Sequence, residues 1–162
     1  MPPTAELSTL LEGLLAADVD FVLVGGLAAV VQGAPITTFD VDIVHRRSPG
    51  NVDRLLTFLA RVGARYRGRQ DPPLPPSRDA LLGPGHSLFM TDLGPLDVLG
   101  AIEGGADYDQ LLPRSVEVMI AERPLRVLTL ETIVALKRAS ADPKDKLRLP
   151  VLEAVLRRQK HS

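Results

Sequence analysis

The run Thr38-Phe39-Asp40-Val41-Asp42-Ile43-Val44 sets two carboxylates two residues apart inside an otherwise apolar stretch. Phe39, Val41, Ile43 and Val44 give it the composition of a buried strand. Strand side chains alternate between faces, so Asp40 and Asp42 should project from the same face, roughly 7 Å apart at the backbone. Two negative charges on one face of a half-buried strand are costly to desolvate unless something positive lies against them. A divalent metal ion meets that need best.

The rest of the chain narrows the choice of ion. There is no Cys, which excludes disulfides and thiolate metal sites, and the three His (His45, His86, His161) are scattered. Oxygen donors remain, and these suit Mg2+. A length of 162 residues with 45% hydrophobic content suits one domain, 1–162, with its own core. Aromatics make up only 4% and Trp is absent, so that core must be built from Leu, Val, Ala and Ile. The net charge of −1 provides no global field for nucleic acid. Local basic clusters occur at Arg61, Arg65, Arg67 and Arg69 around Tyr66, at Lys137, Lys144, Lys146 and Arg148, and at Arg157, Arg158 and Lys160. Their plain reading is solvated helix faces. With no secretory leader and no bilayer-length apolar stretch, a cytoplasmic location is the expectation.

Periodicity orders the elements. Leu7, Leu10, Leu11, Leu14 and Leu15 repeat at helical spacing behind a Thr4 cap. Phe21 to Val24 reads as a buried strand that ends in a tight turn at Gly25-Gly26, with a short helix from Leu27 to Gln32. The acidic strand covers about Phe39 to His45. Ser48-Pro49 opens a helix whose apolar face is Val52, Leu55, Leu56 and Leu59, and Gly63 closes it. Ala64 to Arg67 suits a short strand. Residues 68–86 are rich in Pro and Gly, and read as a flap or as a surface excursion. Strands are expected at Ser87 to Thr91, Leu96 to Leu99, Val116 to Ile120 and Leu125 to Leu128. The first two should be joined by the turn Asp92-Leu93-Gly94-Pro95. Two helices close the chain, Leu130 to Ser140 and one from Pro143, which Pro150 should kink or split.

Three features combine into a chemical site. Gly25-Gly26 allows the backbone to approach a phosphate closely. Asp40-Val41-Asp42 follows on the next strand, and Asp97 lies inside Leu96-Asp97-Val98-Leu99. In this order, Val24-Gly25-Gly26, Asp40-Val41-Asp42-Ile43 and Leu96-Asp97-Val98 resemble the nucleotidyltransferase superfamily, whose fold is the polymerase-beta palm. The stretch Leu130 to Lys137, followed by Pro143-Lys144-Asp145, resembles its bacterial toxin-type branch, which includes abortive-infection, type IV toxin–antitoxin members. The resemblance spans roughly residues 20–158. At two positions where that branch often has arginine, this chain has Ile36 and Asp142.

The resemblance implies an α+β fold with a small mixed or antiparallel sheet, helices packed on one face and C-terminal helices at about 130–160. It implies two-metal transfer of a nucleoside monophosphate from an NTP to a hydroxyl, using Mg2+ or Mn2+. Asp40 and Asp42 would hold the ions. Asp97 would complete one metal site and help deprotonate the acceptor. Gly25 and Gly26 would cradle the triphosphate, and Lys137 would neutralise its β- and γ-phosphates. Three readings of the acceptor stay open. One is RNA, such as a tRNA end, with the Arg61 to Arg69 cluster tracking phosphates in a toxin-like protein. The second is a small molecule of the aminoglycoside type, with Glu103, Asp107 and Asp109 as an acidic pocket, or else a protein side chain. The third is an inactive member that binds nucleotide or a partner protein. The apolar face of Val151, Leu152, Val155 and Leu156 suits either packing on the sheet or contact with an antitoxin or a second copy.

Overall fold

A computed structural model describes residues 5–68 and 71–161, so the Thr4 cap and Arg69 lie outside the described residues. Helix α1 (Ala5–Ala16) forms where the leucine spacing predicts it. Leu7, Leu10, Leu11 and Leu14 are each at most 2% exposed. Burying a leucine is worth roughly 2 kcal/mol relative to leaving it in water, so this stripe anchors the helix. The helix packs across the sheet beside α3 (Pro49–Arg61). The α3 face of Val52, Leu55 and Leu59 is fully buried, and Leu56 is partly so. Pro49 occupies the first turn, and Ser48 before it is extended but makes no side-chain cap bond.

The sheet has seven strands, β1 (Phe21–Val24), β2 (Val41–His45), β3 (Arg65–Tyr66), β4 (His86–Thr91), β5 (Gly94–Leu99), β6 (Ser115–Ile120) and β7 (Arg123–Leu128). Their spatial order is β3-β4-β5-β2-β1-β7-β6. The sheet is mixed: β2 runs parallel to β5 and β1 parallel to β7, while the other neighbours are antiparallel. This is the α+β architecture the sequence implies. The β4–β5 turn is tighter than expected, because Gly94 and Pro95 already belong to β5 and pair with Thr91 and Met90.

Register explains how the sheet serves two environments. Val41 pairs with Leu96 and Ile43 with Val98, and all four are fully buried on one face. The residues between them, Asp42 and Asp97, are therefore paired with each other and project from the opposite face. Over that side, α2 (Gly25–Val30) packs on β1 and β2 and touches α6 (Leu130–Ala139). Gln32 ties these pieces together. Its Nε2 donates to Ala28 O and Leu128 O, and its Oε1 accepts from Leu130 N.

Several expectations need correction. Phe39 is not buried in a strand but 74% exposed, and β2 starts at Val41, so Asp40 lies just ahead of it. Gly25 and Gly26 form the first turn of α2 rather than a separate loop. Helix α7 (Pro143–Lys160) continues through Pro150 without being split. Its N-cap is Asp142, whose carboxylate accepts from Lys144 N at 2.9 Å. Two short helices escaped periodicity, α4 (Arg78–Leu82) and α5 (Tyr108–Leu111). The first lies in the Pro-rich segment and is tied down. Ser77 N donates to Tyr66 Oη, Tyr66 N donates to Leu74 O, and Arg78 pairs with Asp53 at 2.8 Å. No helix among the described residues is long and apolar enough to cross a membrane.

Candidate active site

The three carboxylates proposed from sequence converge. Oxygens of Asp40, Asp42 and Asp97 all lie within 4.8 Å of one another. Asp42 and Asp97 are neighbours across the parallel β2–β5 ladder, and Asp40 reaches them from the residue before that ladder begins.

Gly25 closes the site from the other side. Val24 pairs with Asp42 across β1 and β2, which carries Gly25 up against that carboxylate. A Cβ at Gly25 would collide with Asp42, and its φ of +73° is one that residues with side chains rarely adopt. At Gly26 a Cβ would stand 3.1 Å from Thr38 Oγ1 and 3.3 Å from Arg148 Nη1. At both positions the missing side chain leaves room for these neighbours against the backbone.

The electrostatics of the triad are unusual. Burial, followed by the charges of Asp40 and Asp97, pushes the Asp42 carboxyl up to about 8. Burial and the Asp97 charge also raise Asp40, against the pull of Arg67 and Arg148. Asp42 Oδ1 is buried with no hydrogen-bond partner among the described residues. A buried, unpaired carboxylate oxygen with two more carboxylates around it is the donor set a hard divalent ion takes. The residues present therefore fit Mg2+ or Mn2+.

Two cations sit against this site. Arg67 Nη2 donates to Asp97 Oδ1 at 2.6 Å, and its Nη1 donates to Phe89 O at 2.9 Å. Arg148 Nη2 donates to Thr37 O at 3.3 Å. Both were visible in the sequence only as members of basic clusters. Lys137 lies in the same region, but its Nζ is paired with Asp145 Oδ1 at 2.8 Å. Asp145 Oδ2 also accepts from Ser140 Oγ at 2.7 Å, and the Lys137 contact is the main reason its carboxyl falls below the usual range.

A cleft of about 970 Å³ opens at Asp42, lined by Gly25, Glu103, Lys137 and Asp145 together with the apolar Leu99, Ile102, Leu128, Ile133 and Leu136. Of the acidic trio proposed for a cationic acceptor, only Glu103 lines it. Asp107 caps α5 and faces Arg47 at 3.7 Å, and with Asp109 it borders a second, smaller cavity beside His45. Within the Arg61 to Arg69 cluster, Arg65 faces Asp92 at 3.6 Å and Arg67 faces Asp97.

Solved structures of similar fold are known. The lincosamide antibiotic adenylyltransferase LnuA, lincomycin-bound, superposes with a TM-score of 0.62 at 16% identity, over 96% of this chain and 99% of that one. The fold is that of the nucleotidyltransferases. ANT(2'')-Ia in complex with adenylyl-2''-tobramycin matches with a TM-score of 0.58 at 17% identity, over 94% of this chain and 91% of that one. A putative nucleotidyltransferase from Thermotoga maritima matches with a TM-score of 0.56 at 18% identity, over 93% and 96%. No protein-family model matches the sequence, and no curated protein matches it significantly.

Proposed function

We propose that this chain is a metal-dependent nucleotidyltransferase that moves a nucleoside monophosphate from an NTP to a hydroxyl of a small-molecule acceptor. The observation that carries this reading is the convergence of Asp40, Asp42 and Asp97 within 4.8 Å, against a backbone turn that Gly25 keeps open. Asp40 and Asp42 would hold the divalent ions, and Asp97 would complete the set. Bound ions would neutralise charge on the triphosphate and favour the acceptor alkoxide. Gly25 and Gly26 bring backbone close to the phosphates, and Asp97 is placed to take the acceptor proton. The products are the nucleotidylated acceptor and pyrophosphate.

A small acceptor is favoured over RNA by two features. Two of the four arginines that would track RNA phosphates are engaged, Arg65 with Asp92 and Arg67 with Asp97. The cleft at Asp42 has apolar walls, and beyond the Lys137–Asp145 pair it carries the Glu103 carboxylate, which suits a compact, partly cationic molecule. Structures of like fold over nearly the whole chain include one bound to lincomycin and one bound to adenylyl-tobramycin.

The test is incubation of purified protein with each α-labelled NTP, Mg2+ and a panel of hydroxyl-bearing antibiotics, with total RNA as a separate arm. Label should appear in a small-molecule acceptor and vanish with Asp42→Ala. Label confined to RNA would overturn the acceptor assignment. No transfer from any NTP to any acceptor would overturn the enzyme reading.

A further inference from the structure

The phosphate-facing cation expected from sequence, Lys137, is committed to Asp145. A different cation stands at the Gly25-Gly26 turn. Arg148 lies on α7, three residues beyond Asp145 and so on the same side of the helix. Its Nη1 is 3.3 Å from the point a Cβ of Gly26 would occupy, and Thr38 Oγ1 is 3.1 Å from that same point. The only hydrogen bond it makes among the described residues is the long one from Nη2 to Thr37 O at 3.3 Å. Among those residues it has no carboxylate within 4.0 Å.

A guanidinium carries five N–H donors in a rigid fork, so most of this group's capacity is unspent. This partly buried cation has spare donors, and it lies over Gly26 next to the Thr38 hydroxyl. Its charge also reaches Asp40, on the metal side of the same turn. Bidentate contact with phosphate oxygens suits this geometry.

We propose that Arg148 binds the triphosphate of the incoming NTP, holding it from helix α7 alongside the Gly26 turn and Thr38. This rests on the nucleotidyl-transfer reading. It assigns the phosphate contact to a C-terminal helix in a chain that has Ile36 rather than an arginine next to Thr37, the residue Arg148 touches. Lys137 and Asp145 then act as a positioning pair that orients the start of α7, because Asp145 is bonded to both Lys137 and Ser140 on α6 and its end.

The test is titration calorimetry of the full chain saturated with Mn2+, using the four NTPs, the matching NMPs and inorganic tripolyphosphate. Arg148→Gln removes the charge, and Arg148→Lys restores it without the fork. Arg148→Gln should weaken the preferred NTP and tripolyphosphate by roughly 10- to 100-fold and leave the NMP within about twofold. Arg148→Lys should recover part of the loss, with melting temperature unchanged in both and Mn2+ affinity no weaker than in the wild type, since the Arg148 charge also reaches Asp40. Equal NTP affinity in wild type and Arg148→Gln would overturn the assignment while leaving the enzyme reading intact. A parallel loss of NTP, NMP and Mn2+ binding would overturn it in favour of a structural role. A wild type that binds no NTP would sink the enzyme reading and this assignment with it.

Discussion

Arg67 Nη2 lies 2.6 Å from Asp97 Oδ1, so one carboxylate of the Asp40–Asp42–Asp97 triad already has a positive partner from the protein. Asp97 is 17% exposed at its side chain and Arg67 is 30% exposed, which keeps the pair partly shielded from water. The same guanidinium would face any ion bound at the triad. Removing one like charge a few ångströms away is worth a few kcal/mol at an effective dielectric near 20, before relaxation. Arg67→Gln should therefore tighten Mn2+ binding in the absence of nucleotide by about tenfold, measured from free Mn2+ by electron paramagnetic resonance. Weaker binding would show instead that Arg67 holds Asp97 in place for the ion.

Asp42 makes metal binding depend on pH. With its carboxyl pushed up to about 8, the metal-free protein keeps a proton there at pH 7. An ion must displace that proton. Affinity for Mg2+ or Mn2+ should rise between pH 6 and 8 and level off above, and calorimetry in buffers of different ionisation enthalpy should detect close to one proton released at pH 7. The sign for stability follows. Between the ordinary value of 3.8 and about 8 the folded chain holds more protons than the unfolded one. Stability of the metal-free protein thus falls as pH rises through that window. Asp42→Asn should flatten the fall and raise the melting temperature at pH 8 in EDTA, while losing stabilisation by Mn2+.

Which parts of this site could be read from sequence follows from the range of the interactions that make it. Asp40 and Asp42 announce themselves because a two-residue spacing in an apolar run is local information. Asp97 is legible because Leu96, Val98 and Leu99 isolate it. Phe39 misleads for the same local reason: its apolar neighbours suggest burial, but the ladder starts two residues later, at Val41. The Arg67–Asp97 pair spans thirty residues and the Arg148–Thr37 contact spans 111, so neither leaves a spacing signal. What would have hinted at Arg148 is its helical offset from Asp145, a polar pair on a face otherwise given to Leu149 and Leu152. Helix α4 was hidden because its five residues sit between proline-rich and glycine-rich stretches that dominate any window over them. Pro150 does not split α7: a proline mid-helix removes one hydrogen bond, and the helix continues on either side of it.

The two glycines of the turn should respond differently to alanine. Gly25 has φ +73° and its missing Cβ would strike the Asp42 carboxylate. Gly25→Ala should cost roughly 1–3 kcal/mol of stability and abolish Mn2+ binding, because the carboxylate must move. Gly26 has ordinary backbone angles, and its added methyl would meet only Thr38 and the far end of Arg148. Gly26→Ala should cost less than about 1 kcal/mol and leave Mn2+ binding intact. Urea unfolding midpoints with and without Mn2+ separate the two. Equal behaviour would show that the left-handed geometry at Gly25 is not what keeps the site open.

His45 supplies a pH dependence of opposite sign to that of Asp42. It ends β2 at 1% exposure, and its Nε2 lies 2.7 Å from Leu81 O. A carbonyl only accepts, so Nε2 carries the hydrogen and the neutral ring leaves Nδ1 bare. Burial pushes the imidazole below its ordinary value of 6.5, although the Leu81 carbonyl opposes this. Below pH 6.5 the unfolded chain therefore takes up a proton that the folded chain resists. The contribution of His45 is fully present above that value and is lost as pH falls toward the folded-state value. His45→Gln keeps a donor for Leu81 O and removes the titration. The melting temperature of wild type relative to this variant should be constant from pH 8 to 7 and should drop between pH 6.5 and 5. Scanning calorimetry in EDTA isolates the difference, since the Asp42 contribution is common to both proteins. A difference independent of pH would mean that the His45 ring gains its proton in the folded chain as readily as in the unfolded one.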